Sequence, residues 1–527
     1  MKSMNRYTRR NFIKLLGWSS AAYLFFSCKD YEQKTLFRPN IVYILADDMG
    51  YGDIGCLNLE CKIPTPNIDR LAKEGMSFTD AHSGSAVCTP TRYGILTGRY
   101  AWRSRLKSGV FTGYSPALIP PHRLTMASFL KKHGYTTACM GKWHLGWDWA
   151  TSDGKKLSDS WEEEGKTVDY TRPITNGPND VGFDYFFGIP ASLDMVPYVY
   201  IENNRVIEPP TITIKGDQEY KFYRGGPCAP NFRHEEVLPK CTEKVIEFIE
   251  NQAQTTPGKP FFVYFPMSAP HTPILPIKEF QGKTGLGPYT DFVCQCDAVV
   301  GQIMKTLEKS NLSENTIFIF ASDNGCSPMA NFEHLKKMGH NPSYIFRGYK
   351  ADIYEGGHRI PFIVRWPSHV KAGTSCEDTI CLTDLLATVA DIMGEKLPDN
   401  AGEDSFSLLE NLLGYPEKPT RGAVVHHSIN GSFSIRQGKW KLELCPGSGG
   451  WSYPRPQEAK ALNLPRIQLY DLSQDIAERQ NLQAQHPDVV YRITNLLQQY
   501  VENGRSTPGR IQSNEGEIQL WKMLESP

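Results

Sequence analysis

The sequence predicts an α/β fold: one large mixed, mainly parallel sheet sandwiched by helices, followed by a small C-terminal α+β subdomain with an antiparallel sheet. Three observations carry this. Continuous apolar runs recur at residues 40–46, 261–265 and 316–321, and strands without polar alternation are those buried on both faces of a parallel sheet. Helical stretches lie between such runs, the alternation expected of a sheet covered on both sides. Past about residue 418 the texture changes to short strands separated by turns.

The elements follow in order. Residues 40–46 form the first strand. A helix begins at Thr65-Pro66-Asn67, with Thr65 as cap and Pro66 in the first turn, and stops at Gly75. Residues 124–133 repeat that design and stop at Gly134; residues 136–140 form the next strand. Residues 151–235 show weak periodicity and many turn residues, and are expected to be long loops rimming a site. Residues 236–251 are helical, with Val237, Leu238, Cys241, Val245, Ile246 and Ile249 on one side. A helix over 290–309 leads to the 316–321 strand; residues 362–366 form another strand, and a helix over 383–393 closes at Gly394. Residues 433–436 and 439–442 flank the Gln437-Gly438 turn, with a third strand at 468–472 and a helix at 488–502. This divides the chain into a catalytic domain at 38–417 and a subdomain at 418–527.

Charge is balanced, with 57 basic and 57 acidic residues, so no basic field for nucleic-acid binding is present and anion recognition must be local. The first 28 residues are targeting sequence. Thr8-Arg9-Arg10-Asn11-Phe12-Ile13-Lys14 resembles a twin-arginine export signal. The apolar run at 15–26 is shorter than the roughly 20 residues a membrane span needs. Phe25-Phe26-Ser27-Cys28 resembles a lipobox, which makes Cys28 a lipidated N-terminus; plain signal cleavage is the alternative. The expected location is the periplasm or, lipid-anchored, the outer membrane of a Gram-negative bacterium. Of the 13 cysteines, setting aside Cys28 and Cys88 leaves an odd number, so at least one thiol is free. Cys56 and Cys61 are close enough for a local bridge; Cys294 and Cys296 do not share a helical face and make no metal site.

In a parallel sheet, chemistry belongs at the carboxyl ends of the strands. Asp47 and Asp48 follow the first strand and Asp323-Asn324-Gly325 another. Four oxygen-bearing side chains at two strand ends suit a hard cation such as calcium or magnesium, although such residues also make ordinary turns. Lys142 and His144 follow the 136–140 strand; in an extended segment a spacing of two puts both on one side. His271 follows the 261–265 strand, in Ala269-Pro270-His271-Thr272-Pro273, and Lys350 precedes Glu355-Gly356-Gly357. Arg92 lies one helical turn after Cys88. His358, His426 and His427 are taken as structural.

Cys88-Thr89-Pro90-Thr91-Arg92, continued by Tyr93-Gly94-Ile95-Leu96-Thr97-Gly98-Arg99, resembles the signature of the formylglycine-dependent type I sulfatases, of the alkaline phosphatase-like superfamily. Gly141-Lys142-Trp143-His144-Leu145-Gly146 matches a second block of that family. The resemblance implies that a maturing enzyme, recognising Pro90 and Arg92, oxidises Cys88 to formylglycine, whose hydrate attacks sulfate esters. It implies a cation, usually calcium, held by Asp47, Asp48, Asp323, Asn324 and residue 88. Arg92 would hold the nucleophile and the metal-site anions, and Lys142 a sulfate oxygen. His144 would accept the hydrate's proton, His271 protonate the leaving oxygen, and Lys350 bridge sulfate and leaving oxygen. Residues 182–188 and 192–195 look similar to segments of the arylsulfatase A and N-acetylgalactosamine-6-sulfatase branches. This points to exo-acting removal of 6-O-sulfate from galactose or N-acetylgalactosamine in a glycan, with Asp184, Asp194 and Arg347 as candidates for contacting the sugar. The alternatives are a phosphodiesterase or phosphonate hydrolase of the same superfamily, and a catalytically lapsed glycan-binding lipoprotein with Cys88 unmodified.

Overall fold

A computed structural model describes residues 38–163 and 165–521; the expected targeting segment and Cys28 lie outside the described residues. The strands of the large sheet are β1 (Asn40–Ala46), β2 (Met76–Phe78), β3 (Thr136–Lys142), β4 (Tyr185–Ile189), β5 (Ile201–Glu202), β6 (Arg205–Val206), β7 (Phe261–Pro266), β8 (Thr316–Ser322), β9 (Phe362–Arg365) and β10 (Thr374–Cys376). They stand in the order β10-β2-β9-β8-β1-β7-β3-β4-β5-β6. The centre is parallel, with β8, β1, β7, β3 and β4 running together. The antiparallel members lie outside it: β9 against β8 and β2, and β5 and β6 at the far edge. Every residue of β1, β7 and β8 is buried, so each large apolar side chain there contributes roughly 1.5–3 kcal/mol.

The covering helices include α1 (Pro66–Glu74), α2 (Cys88–Thr97), α3 (Met126–Lys132), α4 (Val237–Thr255), α5 (Pro288–Lys309) and α6 (Leu385–Ile392). Thr65 precedes α1 but its side chain does not cap it. Asp297 of α5 does so instead, accepting the backbone N–H groups of Asn67 and Ile68 at 3.0 and 2.8 Å. The hydroxyl of Thr65 is engaged by the N–H of Gly55 and by Asp69. Before α3, Thr125 does cap, accepting from the Ser128 N–H. The expected loop region 151–235 contains β4, β5 and β6 and a small hairpin, Ile212–Ile214 with Gly226–Cys228. Cys56 and Cys61 are free thiols, as are all the described cysteines.

The C-terminal sheet has four antiparallel strands in sequence order: β11 (Val424–His427), β12 (Phe433–Gln437), β13 (Trp440–Glu443) and β14 (Gln468–Asp471). The first was not among the three expected. Helix α7 (Pro487–Glu502) packs on this sheet, with Tyr100 and Trp102 of the larger unit buried in the same apolar cluster. The small sheet also grips loops of the large unit. The Ala86 N–H donates to the His427 carbonyl at 3.0 Å, and the Ile429 N–H to the Ala351 carbonyl at 3.0 Å. These contacts hold the chain two residues before Cys88 and one after Lys350.

Candidate active site

β1 and β8 are paired with Ala46 opposite Ser322, so Asp47 and Asp323 leave the sheet side by side. The Asp323 N–H donates to the Ala46 carbonyl at 3.1 Å, and the Asp48 N–H to Asp323 Oδ1 at 3.2 Å. Asp48 turns the chain in the left-handed region, at φ +67°, an unfavourable conformation for a non-glycine residue that the surrounding bonds impose. Cys88 opens α2, a helix buried along its whole length, and residue 88 therefore faces the positive end of the helix dipole. Its sulfur and carboxylate oxygens of Asp47 and Asp323 lie within 4.8 Å of one another.

Arg92, fully buried, donates from Nε and Nη2 to Asp323 Oδ2 at 3.1 and 2.8 Å and from Nη1 to the Lys142 carbonyl at 3.0 Å. Lys142 is the last residue of β3 rather than a residue beyond it. Its Nζ donates to Asp47 Oδ2 at 2.7 Å and to Ser192 Oγ at 3.1 Å. Close backbone packing puts it there. A Cβ on Gly141 would lie 2.1 Å from the Pro266 carbonyl, and one on Gly188 1.8 Å from the Gly141 carbonyl. His144 does not follow the extended alternation expected of it, because it sits at φ +57°. Its Nε2 donates to the Phe111 carbonyl at 2.8 Å, which leaves Nδ1 as a buried acceptor without a partner. His271 lies with Nε2 3.5 Å from Asp48 Oδ2 and its ring 3.3 Å from Ser192 Oγ. Lys350 Nζ reaches Asp48 at 2.7 Å. The structure thus gathers Asp47, Asp48, Cys88, Arg92, Lys142, His271, Asp323, Asn324 and Lys350 at one end of the central strands, with His144 beside them.

Burial raises the Cys88 thiol, against the pull of Lys142 and Lys350, so the unmodified side chain is a thiol and not a thiolate. Burial also works against ionising Asp47, but Lys142, His271, Arg92 and Lys350 outweigh it and hold that carboxyl well below its usual range. Asp323 is pushed up to about 7 by burial and by the charge of Asp47, in spite of Arg92. Burial lowers His144 and His271, helped at His144 by Lys142 and at His271 by Lys350. Asp47 Oδ1 and Asn324 Oδ1 are buried oxygens without a hydrogen-bond donor. Unsatisfied oxygens beside converging carboxylates fit a hard divalent cation.

The other candidates are placed differently. Asp184 stands at the amino end of β4, where it accepts from the Thr137 N–H at 3.0 Å and pairs with Lys131 at 2.7 Å. Five residue steps along β3, roughly 16 Å at 3.3 Å per residue, separate its partner Thr137 from Lys142, so Asp184 does not join the cluster. Arg347 stacks on Tyr354 at 3.8 Å and donates to the Glu478 carbonyl at 2.6 Å. It fastens the C-terminal subdomain and does not join the cluster. Asp194 is buried two residues beyond Ser192 and pairs with Arg224. Ser192, which touches both Lys142 and His271, lies in the 192–195 segment but was not among the candidate site residues.

His82, His358 and His426 form a second buried group. The rings of His358 and His426 are stacked, 3.7 Å apart and 10° from parallel, and one nitrogen of each of the three rings lies within 4.8 Å of the others. Lys441 approaches His358 at 3.1 Å, and Arg359 and Arg436 approach His82. These three cations are themselves paired with Asp80, Glu355 and Glu478.

Helices on both faces of a large mixed sheet, with this charged cluster at its strand ends, put the protein in the alkaline phosphatase-like class of hydrolases. A sulfatase family model matches residues 39–395. An N-acetylgalactosamine-6-O-sulfatase of Bacteroides thetaiotaomicron is 35% identical over 512 residues, covering 88% of this chain and 93% of that protein. Human arylsulfatase A is 33% identical over 460 residues, covering 84% and 83%. A solved Bacteroides thetaiotaomicron sulfatase from work on glycosaminoglycan metabolism superposes with a TM-score of 0.75 at 35% identity, covering 88% of this chain and 99% of its own. The chain therefore belongs to the sulfatase family, enzymes that hydrolyse sulfate esters.

Proposed function

We propose that this sulfatase removes 6-O-sulfate from galactose or N-acetylgalactosamine at the end of a glycan, using the formylglycine form of residue 88. The observation that carries the reading is the Cys88 sulfur at the start of a buried helix, within 4.8 Å of Asp47 and Asp323. The 35% identity to an N-acetylgalactosamine-6-O-sulfatase supports the sugar. Asp47, Asp48, Asp323, Asn324 and residue 88 would hold a divalent cation, calcium foremost with magnesium the alternative, which offsets charge on the sulfate as the S–O bond breaks. The hydrated aldehyde supplies one hydroxyl to attack sulfur and a second whose deprotonation expels sulfate.

The remaining chemistry belongs to side chains in place. Arg92 fixes Asp323 and the Lys142 carbonyl. Lys142 and Lys350, now bound to Asp47 and Asp48, turn to the sulfate oxygens as point charges. His144 Nδ1 takes the proton of the hydrate, and its neutral state suits a base. His271 Nε2 delivers a proton to the leaving oxygen, and its lowered affinity for that proton makes it a strong acid once charged. Asp194 Oδ1, buried and without a donor, accepts a sugar hydroxyl. The protein is exported to the periplasm or anchored to the outer membrane through Cys28, after a maturase has modified Cys88.

Mass measurement of the tryptic peptide around Cys88, with sulfate release from a panel of regiodefined sulfated monosaccharides, tests the reading. The aldehyde mass and release from the 6-sulfates are expected, and Cys88→Ala should release none while folding normally. Wild-type turnover by Cys88→Ala overturns the assigned nucleophile.

A further inference from the structure

The proposed reading leaves open what lies beyond the ester. The leaving oxygen meets His271, so the rest of the saccharide must extend past the chain next to that residue. Two segments stand there. One is the loop from Ser192, whose hydroxyl touches the His271 ring, to Asp194. The other is a hairpin closed by the pairing of Asp217 with Tyr223. It is tied to the His271 loop by the Ile274 N–H, which donates to the Tyr220 carbonyl at 2.8 Å.

Arg224 joins the two. Its N–H donates to the Asp194 carbonyl at 3.0 Å and its Nη1 pairs with Asp194 Oδ2. The guanidinium lies over two aromatic rings, 5.0 Å from the centre of Trp161 and 5.2 Å from that of Phe222. Its side chain is 39% exposed, and Trp161 is 54% exposed. Nε and Nη2 have no hydrogen-bond partner among the described residues. Asp194 itself is 94% buried as a side chain, and its Oδ1 has no donor. A surface arginine paired only for stability would turn its fork toward the carboxylate. Here one nitrogen is used, and the other donor edge stays open beside an exposed indole.

We propose that Arg224 is a specificity-determining residue that binds a second anionic group, a carboxylate or a further sulfate, on the saccharide chain being desulfated. The open edge offers two parallel N–H groups, the geometry that matches a planar carboxylate or two sulfate oxygens. Asp194 fixes the guanidinium in advance, which lowers the ordering cost of binding. Trp161 supplies an apolar face for the ring that carries the anion. This inference rests on the proposed sulfatase reading only for the direction in which the saccharide leaves the site.

Binding is measured by calorimetry in the Cys88→Ala background, so that turnover does not enter. The probes are a 6-sulfated disaccharide with a neutral neighbour, one with a uronate neighbour and one with a second sulfate. The two anionic forms are expected to bind about tenfold tighter than the neutral form. Arg224→Gln should reduce that preference to near one, and Arg224→Lys should restore part of it. The uronate and disulfate arms show which anion is preferred. Equal weakening of all three ligands by Arg224→Gln would reduce Arg224 to a support for Asp194 and overturn the proposal. An unchanged preference overturns it as well. Sulfate release by the wild-type protein is a separate readout: its absence, with the binding preference intact, defeats the catalytic reading and not this one.

Discussion

Replacing Arg92 with Met tests whether the buried charges of the site hold one another in place. The substitution keeps much of the volume and removes the guanidinium. Three hydrogen bonds go with it, at 3.1, 2.8 and 3.0 Å, two of them to the Asp323 carboxylate. Stripping the partner from a buried charge costs about 3–5 kcal/mol. That is a large part of the ~5–15 kcal/mol by which folded proteins exceed their unfolded chains. At ~2 cal/mol/K per residue, the 527-residue chain has an unfolding entropy near 1 kcal/mol/K, so the midpoint should fall by ~3–5 °C. Differential scanning calorimetry in chelator measures this. Added calcium should recover part of the loss, because a cation at Asp47 and Asp323 offsets the same charge. Sulfate release should drop at least ~100-fold, since the Lys142 carbonyl and Asp323 lose their common anchor. A midpoint within 1 °C of wild type in chelator, or a loss indifferent to calcium, would refute the reasoning.

Two further outcomes are expected. Gly188→Ala should cost ~2–3 kcal/mol or prevent folding, because its Cβ would meet the Gly141 carbonyl at 1.8 Å across two paired strands; near-native thermal stability would show that the strands can part. Stability should also fall on acidification below about pH 6.5. Burial lowers His82 to about 3 in spite of Glu355, and His358 and His426 well below their ordinary value, with Lys441 and Arg436 adding to the effect of burial at all three. The unfolded chain takes up protons there that the folded one refuses, so stability is complete above pH 6.5 and lost toward pH 3. Each histidine contributes at most ~1.4 kcal/mol per pH unit. Calorimetry between pH 7.5 and 5 reads the slope, which His426→Gln should make shallower; a flat midpoint would contradict the assignment.

The parts of the site that were legible are those carried by uninterrupted apolar strands. β1 and β8 announce themselves by composition, and the residues that follow them are polar, so the sequence alone places Asp47, Asp48, Asp323 and Asn324 at strand ends. β4 was not legible, being five residues long and set among turns. That omission explains the misplacement of Asp184. Without the strand it looked like a rim residue, whereas in a parallel sheet the residue preceding a strand lies at the end opposite the chemistry. Arg347 misled for a different reason: its partner Glu478 is 131 residues away, beyond any local pattern. Thr65 had the chemistry of a cap, but Asp297 supplied a stronger acceptor from another helix. Ser192 acts through two neighbours brought together only by the fold.

The first turn of α2 is closed to solvent, with Cys88 at 2%, Thr91 at 2% and Thr89 and Arg92 at 0% exposure. A visiting enzyme has no route to that thiol once the strands have assembled around it. On the proposed formylglycine reading, oxidation at position 88 has to precede collapse of the chain, which would set an order of events during biosynthesis. Protein that folds first would be well formed, stable and permanently silent, and no later treatment short of unfolding would awaken it.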